Sequence, residues 1–244
     1  MRRIALPFVF VLALLGVAAI PAFAPTASRT GKPVVDEHEL TLVAMVKPGA
    51  ASGFLPHNGD MEQMITVSAP DHSATTAKLS AWSLVNGEWK REIGPLNAFV
   101  GTAGMGATQE GISRTPTGVF GLTESFGIAP NNGTRLPYFK VDEQDWWVSD
   151  TAAREYNKHF RCAVGKCPFN ERAGERLITA GAVYNHAVVI DYNRDPVRPG
   201  AGSAFFLHVS AGKPTAGCVS VDAAELDKIM RWLDPAKKPA INIG

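Results

Sequence analysis

Apolar and polar positions alternate in short runs along most of this chain, and one segment near the end switches to a helical period. Met64-Ile65-Thr66-Val67 reads as a strand. Across residues 77–93, Leu79, Ala81, Leu84 and Val85 lead to Asn86-Gly87, and Trp89 and Ile93 follow. That order predicts a hairpin, because Asn and Gly both tolerate the positive φ of a two-residue turn. Trp146-Trp147-Val148 reads as a further strand. Neighbouring side chains on a strand face opposite ways, so one tryptophan is expected in the core and the other near the surface, with core packing the safer reading for either one. Residues 182–192, 204–207 and 219–221 carry strand patterns, and residues 240–243 form a last one.

The helical period belongs to Leu226, Ile229, Met230 and Leu233, with Pro235 as the stop. Asp222 followed by Glu225 resembles a capping box at its start. Residues 99–126 are dense in glycine but lack the G-x-x-x-x-G-K-[ST] pattern of a phosphate loop, so they read as turns between short strands, with Thr115-Pro116-Thr117-Gly118 as one turn. The expected fold is mainly β, a sandwich or barrel with one clear C-terminal helix.

The first residues follow another rule. Met1-Arg2-Arg3 is a positive start, residues 4–20 are apolar and uncharged, and Ala22-Phe23-Ala24 is a small-x-small pattern. Residues 1–27 therefore read as a secretory signal peptide, with an uncleaved anchor as the alternative. Residues 28–60, rich in Pro, Gly, Ala and Ser, read as an extension or linker, and residues 61–244 as the main domain. Export to the cell envelope is the expectation. Without Arg2 and Arg3 the chain carries 22 basic and 23 acidic residues, and no basic stripe suggests nucleic acid.

Three cysteines in an exported chain leave one over. Cys162 and Cys167 flank a short turn with Gly165, and are the natural pair for a local disulfide. Pairing of Cys218 with one of them is the alternative. A free Cys218 falls in the most informative stretch, FFLHVSAGKPTAGCVSV, residues 205–221. There His208 ends an apolar run, and Gly212, Pro214 and Gly217 fold the chain back to bring a thiol towards an imidazole. A cysteine is a weak nucleophile until a neighbouring base ionises it. The amides of Gly217 and Cys218 offer a place for an oxyanion. From the residues alone this is a candidate Cys–His acyl-transfer site.

Histidine, loop and Thr-x-Gly-Cys together resemble the L,D-transpeptidase (YkuD-type) family of bacterial cell-wall enzymes, in a secreted branch where the histidine lies close before the cysteine. TPTGVFGL, WWVSD, VVIDYN, GSAFF, RWLDP and PAINIG extend the likeness over most of residues 61–244. The resemblance implies Cys218 as nucleophile, His208 as general base and Gly217 in the oxyanion loop. Thr215 stands where the family has Ser or Thr. Ala216 replaces a commoner His, and Ser220 a commoner Arg or Asn. Thr215, Ser220, Tyr192 and Asn193 are then candidate substrate contacts, as is Tyr184. The family also suggests that a main-chain carbonyl near Val209 orients the imidazole, with Asp191 or Asp222 as alternatives. Peptidoglycan stem peptides would be the substrates. The resemblance further implies acylation by a carbapenem, and a reaction that needs no metal, nucleotide or other cofactor.

Three other readings share these residues: a Cys–His peptidase that only trims, a zinc site from Cys162, Cys167, His208 and Cys218, and a wall-binding module using the tryptophans and tyrosines as a sugar platform. Of the other histidines, His38, His57 and His72 are expected in solvent, His159 without an evident partner, and His186 on an ordinary strand or facing the same cleft.

Overall fold

The structure, a computed structural model, describes residues 61–244. The expected signal peptide and linker lie outside the described residues. Strand β1 (Gln63–Ser68) is followed by the hairpin of β2 (Thr76–Val85) and β3 (Glu88–Phe99). Its turn is Asn86-Gly87 as the pattern requires, at φ 54° and 83°. Short strands β4 (Gly118–Gly121), β5 (Ser125–Gly127), β6 (Tyr138–Lys140), β7 (Asp145–Trp147), β8 (His159–Arg161) and β9 (Glu175–Arg176) come next. A 3₁₀ segment, Leu177–Tyr184, precedes β10 (Ala187–Val189), β11 (Phe206–Val209), β12 (Val219–Val221), helix α1 (Ala223–Trp232) and β13 (Ala240–Ile243). The fold is mainly β, as expected.

Ten strands form one sheet in the order β4-β13-β1-β2-β3-β12-β11-β10-β5-β6, and β8-β7-β9 form a second. Strand alternation divides the large sheet's side chains between two cores. Val188, Leu207, Val219 and Val221 join Leu226, Ile229 and Met230 of α1 on one face. Ala187, Val189, Phe206 and Cys218 join Trp147, Leu177 and Tyr184 on the other. Leu207 and Val219 are fully buried. Truncating such a leucine costs about 2–5 kcal/mol, so the strands that carry the site are firmly held.

Three local expectations need correction. Trp146 and Trp147 are both buried, at 5% and 1% exposure. They do face opposite ways, but each face has a cover. Trp147 meets the edge of Phe206 in the main core, while Trp146 packs with Phe169 under the Cys162–Cys167 disulfide. The strand pattern of residues 182–192 is realised only as β10, because its first residues close the 3₁₀ turn that buries Leu177 and Tyr184. At the start of α1 the Asp222 side chain makes no capping bond, so the capping box does not form.

Candidate active site

Strands β11 and β12 run parallel, with Leu207 opposite Val219 and His208 opposite Ser220. Only nine residues separate them, fewer than the dozen or more usual for a parallel return. The loop closes this distance by leaning on another segment. Thr215 N donates to Val100 O at 2.9 Å, and Thr102 N donates to Thr215 O at 2.9 Å. Thr215 Oγ1 donates to Cys218 O at 2.6 Å and accepts from Gly217 N at 3.1 Å. Thr215 therefore builds the turn that delivers the cysteine, and the Gly217 amide is engaged within it.

Gly217 is required here for two reasons. Its φ is +143°, and a Cβ would stand 2.7 Å from the Phe205 ring and 3.2 Å from Arg114 O. The loop passes too close to that ring for any side chain.

Cys218 is the free cysteine, 8% exposed, on the sheet face it shares with Phe206. Its Sγ accepts from Phe206 N and donates to Ala204 O, each at 3.4 Å. Ala204 sits at φ 60°, rare for a residue with a side chain. His208 is on the same face, one strand over and two residues beyond Phe206. That makes it a diagonal neighbour of Cys218 on the same side of the sheet. His208 Nδ1 lies 2.8 Å from Val209 O. The main-chain carbonyl near Val209 is thus the group that orients the ring. Asp191 is instead bonded to Thr123 and Arg194, and Asp222 is exposed.

A cavity of about 310 Å³ opens onto Cys218. Gly217, Phe205, Glu175, Tyr184, Glu110 and Ser203 are among the residues that line it with the thiol. The Tyr184 hydroxyl donates to Glu175 Oε1 at 2.8 Å, and the Tyr184 ring meets the His208 ring edge-on at 5.4 Å. Glu110 is bonded by the Tyr156 hydroxyl and by Ser203 Oγ. The two charged side chains that line the cavity, Glu110 and Glu175, are both acidic.

Burial governs the electrostatics. It pushes the Cys218 thiol up to about 12; the Glu175 charge adds to the rise, and the Phe206 amide and Tyr184 hydroxyl oppose it. Burial also lowers His208, against a rise from the Val209 bond. Glu175 is raised by burial and lowered by Tyr184. The resting pair is a neutral thiol and a neutral imidazole, which can form a thiolate by proton transfer when a substrate displaces water.

The other candidates scatter. Ser220 is fully buried, and its Oγ has no hydrogen-bond partner among the described residues. It lies beside His208 in the sheet and is enclosed away from any ligand. Tyr192 donates to Ala201 O at 2.7 Å, and Asn193 binds Arg198 O and Gly202 O at 2.9 Å each. Both hold the loop before β11 together and stand outside the cavity wall. His159 does have a partner, Asp145 at 2.7 Å. His186 points to the α1 side, 3.1 Å from Asp227.

The disulfide removes two ligands from the zinc alternative. The burial of Trp146 and Trp147 takes the tryptophans out of the platform of the wall-binding alternative. Glu175 and Glu110 were not singled out in the sequence. Each lies in a polar stretch with no periodicity, so no local signal marks it.

The model of the YkuD family, described as the L,D-transpeptidase catalytic domain, matches residues 63–241. That span holds β1 to β12, α1, the cavity and both His208 and Cys218. No curated protein and no solved structure matches the chain.

Proposed function

From the premise that the chain belongs to the L,D-transpeptidase catalytic domain family, whose activity is directed at peptidoglycan, we propose that it is an exported cysteine acyltransferase acting on stem peptides. The observation that carries the reading is the cavity that opens onto Cys218, in a fold where His208 is fixed by Val209 O.

A carbonyl oxygen only accepts, so His208 Nδ1 carries the proton and Nε2 keeps a free lone pair. On substrate entry the thiol turns from Ala204 O towards that nitrogen and gives up its proton. Sγ attacks the carbonyl carbon after the L-centre of a diamino acid, a C–S bond forms and the C–N bond breaks. The leaving amine takes the proton back from the imidazolium. The resulting thioester passes its acyl group to an amine, which forms a cross-link, or to water, which trims the stem. The loop of Thr215, Ala216 and Gly217 shapes the pocket for the developing oxyanion. Residues 1–27 support export, because a positive start, an apolar run and small residues at Ala22 and Ala24 are what secretion reads.

Trimming alone is the competing outcome, and the acidic wall of the cavity favours a cationic acceptor over water. Incubation of the protein with a stem tetrapeptide, and separately with a carbapenem, followed by intact-mass measurement, tests the reading. A covalent adduct is expected, and it is expected to disappear in Cys218→Ala. No adduct with either compound sinks it.

A further inference from the structure

Glu175 stands where a carboxylate hinders the chemistry just described. It shares the cavity wall with Cys218, and its charge works against ionisation of the thiol. A negative charge beside a developing thiolate costs activity unless another step needs it. The step that needs it is the second one. An alkyl amine has a pKa of about 10 and arrives as an ammonium ion, which cannot attack until it loses a proton. Two protons must leave that nitrogen before the amide forms; His208 can take one, and Glu175, which lines the cavity, can take the other.

Resting on the acyl-enzyme reading above, we propose that Glu175, positioned by Tyr184, binds the ammonium of the acceptor and takes its first proton, and so selects amine over water.

The geometry suits the role. Glu175 begins β9, paired with Trp147 of β7. That pairing and the Tyr184 hydroxyl, at 2.8 Å from Oε1, fix the carboxyl. Tyr184 engages one of the two carboxyl oxygens, Oε1. Glu110, which also lines the cavity, is already engaged by Tyr156 and Ser203, so it adds charge but has fewer free lone pairs. The titratable groups facing Glu175 are Tyr184 and Cys218, and Glu110 also lines the cavity. Arg176 beside it is bonded outward to Glu143. Asp145 at the far end of β7 is held by Arg161 and His159.

The protons balance. Of the three on the ammonium, one passes to the Glu175 carboxylate, which later releases it to solvent. The freed nitrogen attacks the thioester carbonyl carbon, and a C–N bond forms. The second proton leaves the nitrogen for His208 Nε2. The C–S bond breaks with its electron pair on Sγ, and the imidazolium protonates the thiolate. The third proton stays on the new amide.

The test compares wild type, Glu175→Gln and Tyr184→Phe with a stem tetrapeptide donor and two acceptors, an alkyl amine and hydroxylamine. Hydroxylamine is already neutral near neutral pH and needs no base. Glu175→Gln is expected to lower the ratio of transfer to hydrolysis about 100-fold with the alkyl amine, and hydroxylamine is expected to restore it to within about twofold of wild type. Tyr184→Phe, which keeps the carboxylate and loosens it, is expected to lose less and to show the same rescue. Carbapenem adducts on the same samples report whether each variant keeps its fold and thiol. If Glu175→Gln does not fold, the Tyr184→Phe ratio and its rescue decide alone. An unchanged ratio, or a loss that hydroxylamine does not repair, overturns the assignment. Absence of any adduct in wild type is a separate result, and overturns the acyltransferase reading beneath it.

Discussion

His208 Nδ1 stands 2.8 Å from the carbonyl oxygen of Val209, the next residue in the chain. This one contact sets the tautomer and leaves Nε2 with a free lone pair, and the group on Nδ1 is a carbonyl rather than a carboxylate. Burial lowers His208 and pushes Cys218 up to about 12, and both shifts favour the neutral forms. Alkylation of the free enzyme by iodoacetamide is therefore expected to be slow at neutral pH. Its rate should climb by about tenfold per pH unit into the alkaline range. A plateau near neutrality would mean a preformed ion pair instead.

Gly217 and Phe205 are packed so closely that a methyl group has no place between them. In Gly217→Ala the new Cβ meets the Phe205 ring at 2.7 Å, at a φ of +143°. The expected cost is about 1–3 kcal/mol of stability. Carbapenem adduct formation should slow at least about tenfold, since a small misplacement of the Cys218 thiol is enough for that. Gly212 in the same loop, at φ +72° with open space around it, is the control. Its alanine variant should lose about 1 kcal/mol and keep adduct formation.

The pattern of the chain made the hairpin, the helix and the strands around His208 and Cys218 legible, because each rests on local periodicity or a turn residue. The disulfide was legible from the short spacing of Cys162 and Cys167. What periodicity cannot carry is which distant segment covers a face. Trp146 is buried because residues 160–169 fold over it, and nothing near Trp146 announces them. Glu175 reaches the cavity because β9 pairs with β7 and the 3₁₀ segment brings Tyr184 above it. Tyr192 and Asn193 were misleading for the opposite reason. Polar residues at a strand end look available, yet here they are used up on the neighbouring loop.

Ser220 is enclosed with its hydroxyl unpaired among the described residues. An unsatisfied buried hydroxyl costs about 1–3 kcal/mol, so Ser220→Ala is expected to raise the melting temperature and to leave the KM for the stem peptide unchanged. A lower melting temperature would point to a buried water on Oγ, and a raised KM to a substrate contact.

Cys162 and Cys167 close a small loop over Trp146 and Phe169. A loop this short contributes about 2 kcal/mol through the unfolded chain. Replacing both with alanine should lower the midpoint of thermal unfolding without removing the carbapenem adduct. Denatured but unreduced wild type should take up a single alkyl group, at Cys218. Uptake at Cys162 or Cys167 would mean a different pairing.

Asp191 gives the stability of the protein a pH dependence opposite to that of a paired surface carboxylate. Burial is the largest influence and raises it from 3.8 to about 6, with Glu124 adding to the rise; the Arg194 charge and the Thr123 bond pull the other way without cancelling it. Its side chain is only 15% exposed, so solvent does little to soften the cost. A folded pKa above the unfolded one means that the protonated form is the one the fold prefers. The stabilising contribution is therefore fully present below 3.8 and is lost as pH rises through about 6. The loss corresponds to about 2–3 kcal/mol. Asp191→Asn keeps an acceptor for Thr123 and removes the charge. It should be more stable than wild type near pH 8 by that order, and the gap should close near pH 4, as read from urea unfolding at about pH 4, 6 and 8. A variant that is less stable near pH 8 would show that the pairing with Arg194 outweighs the cost of burial.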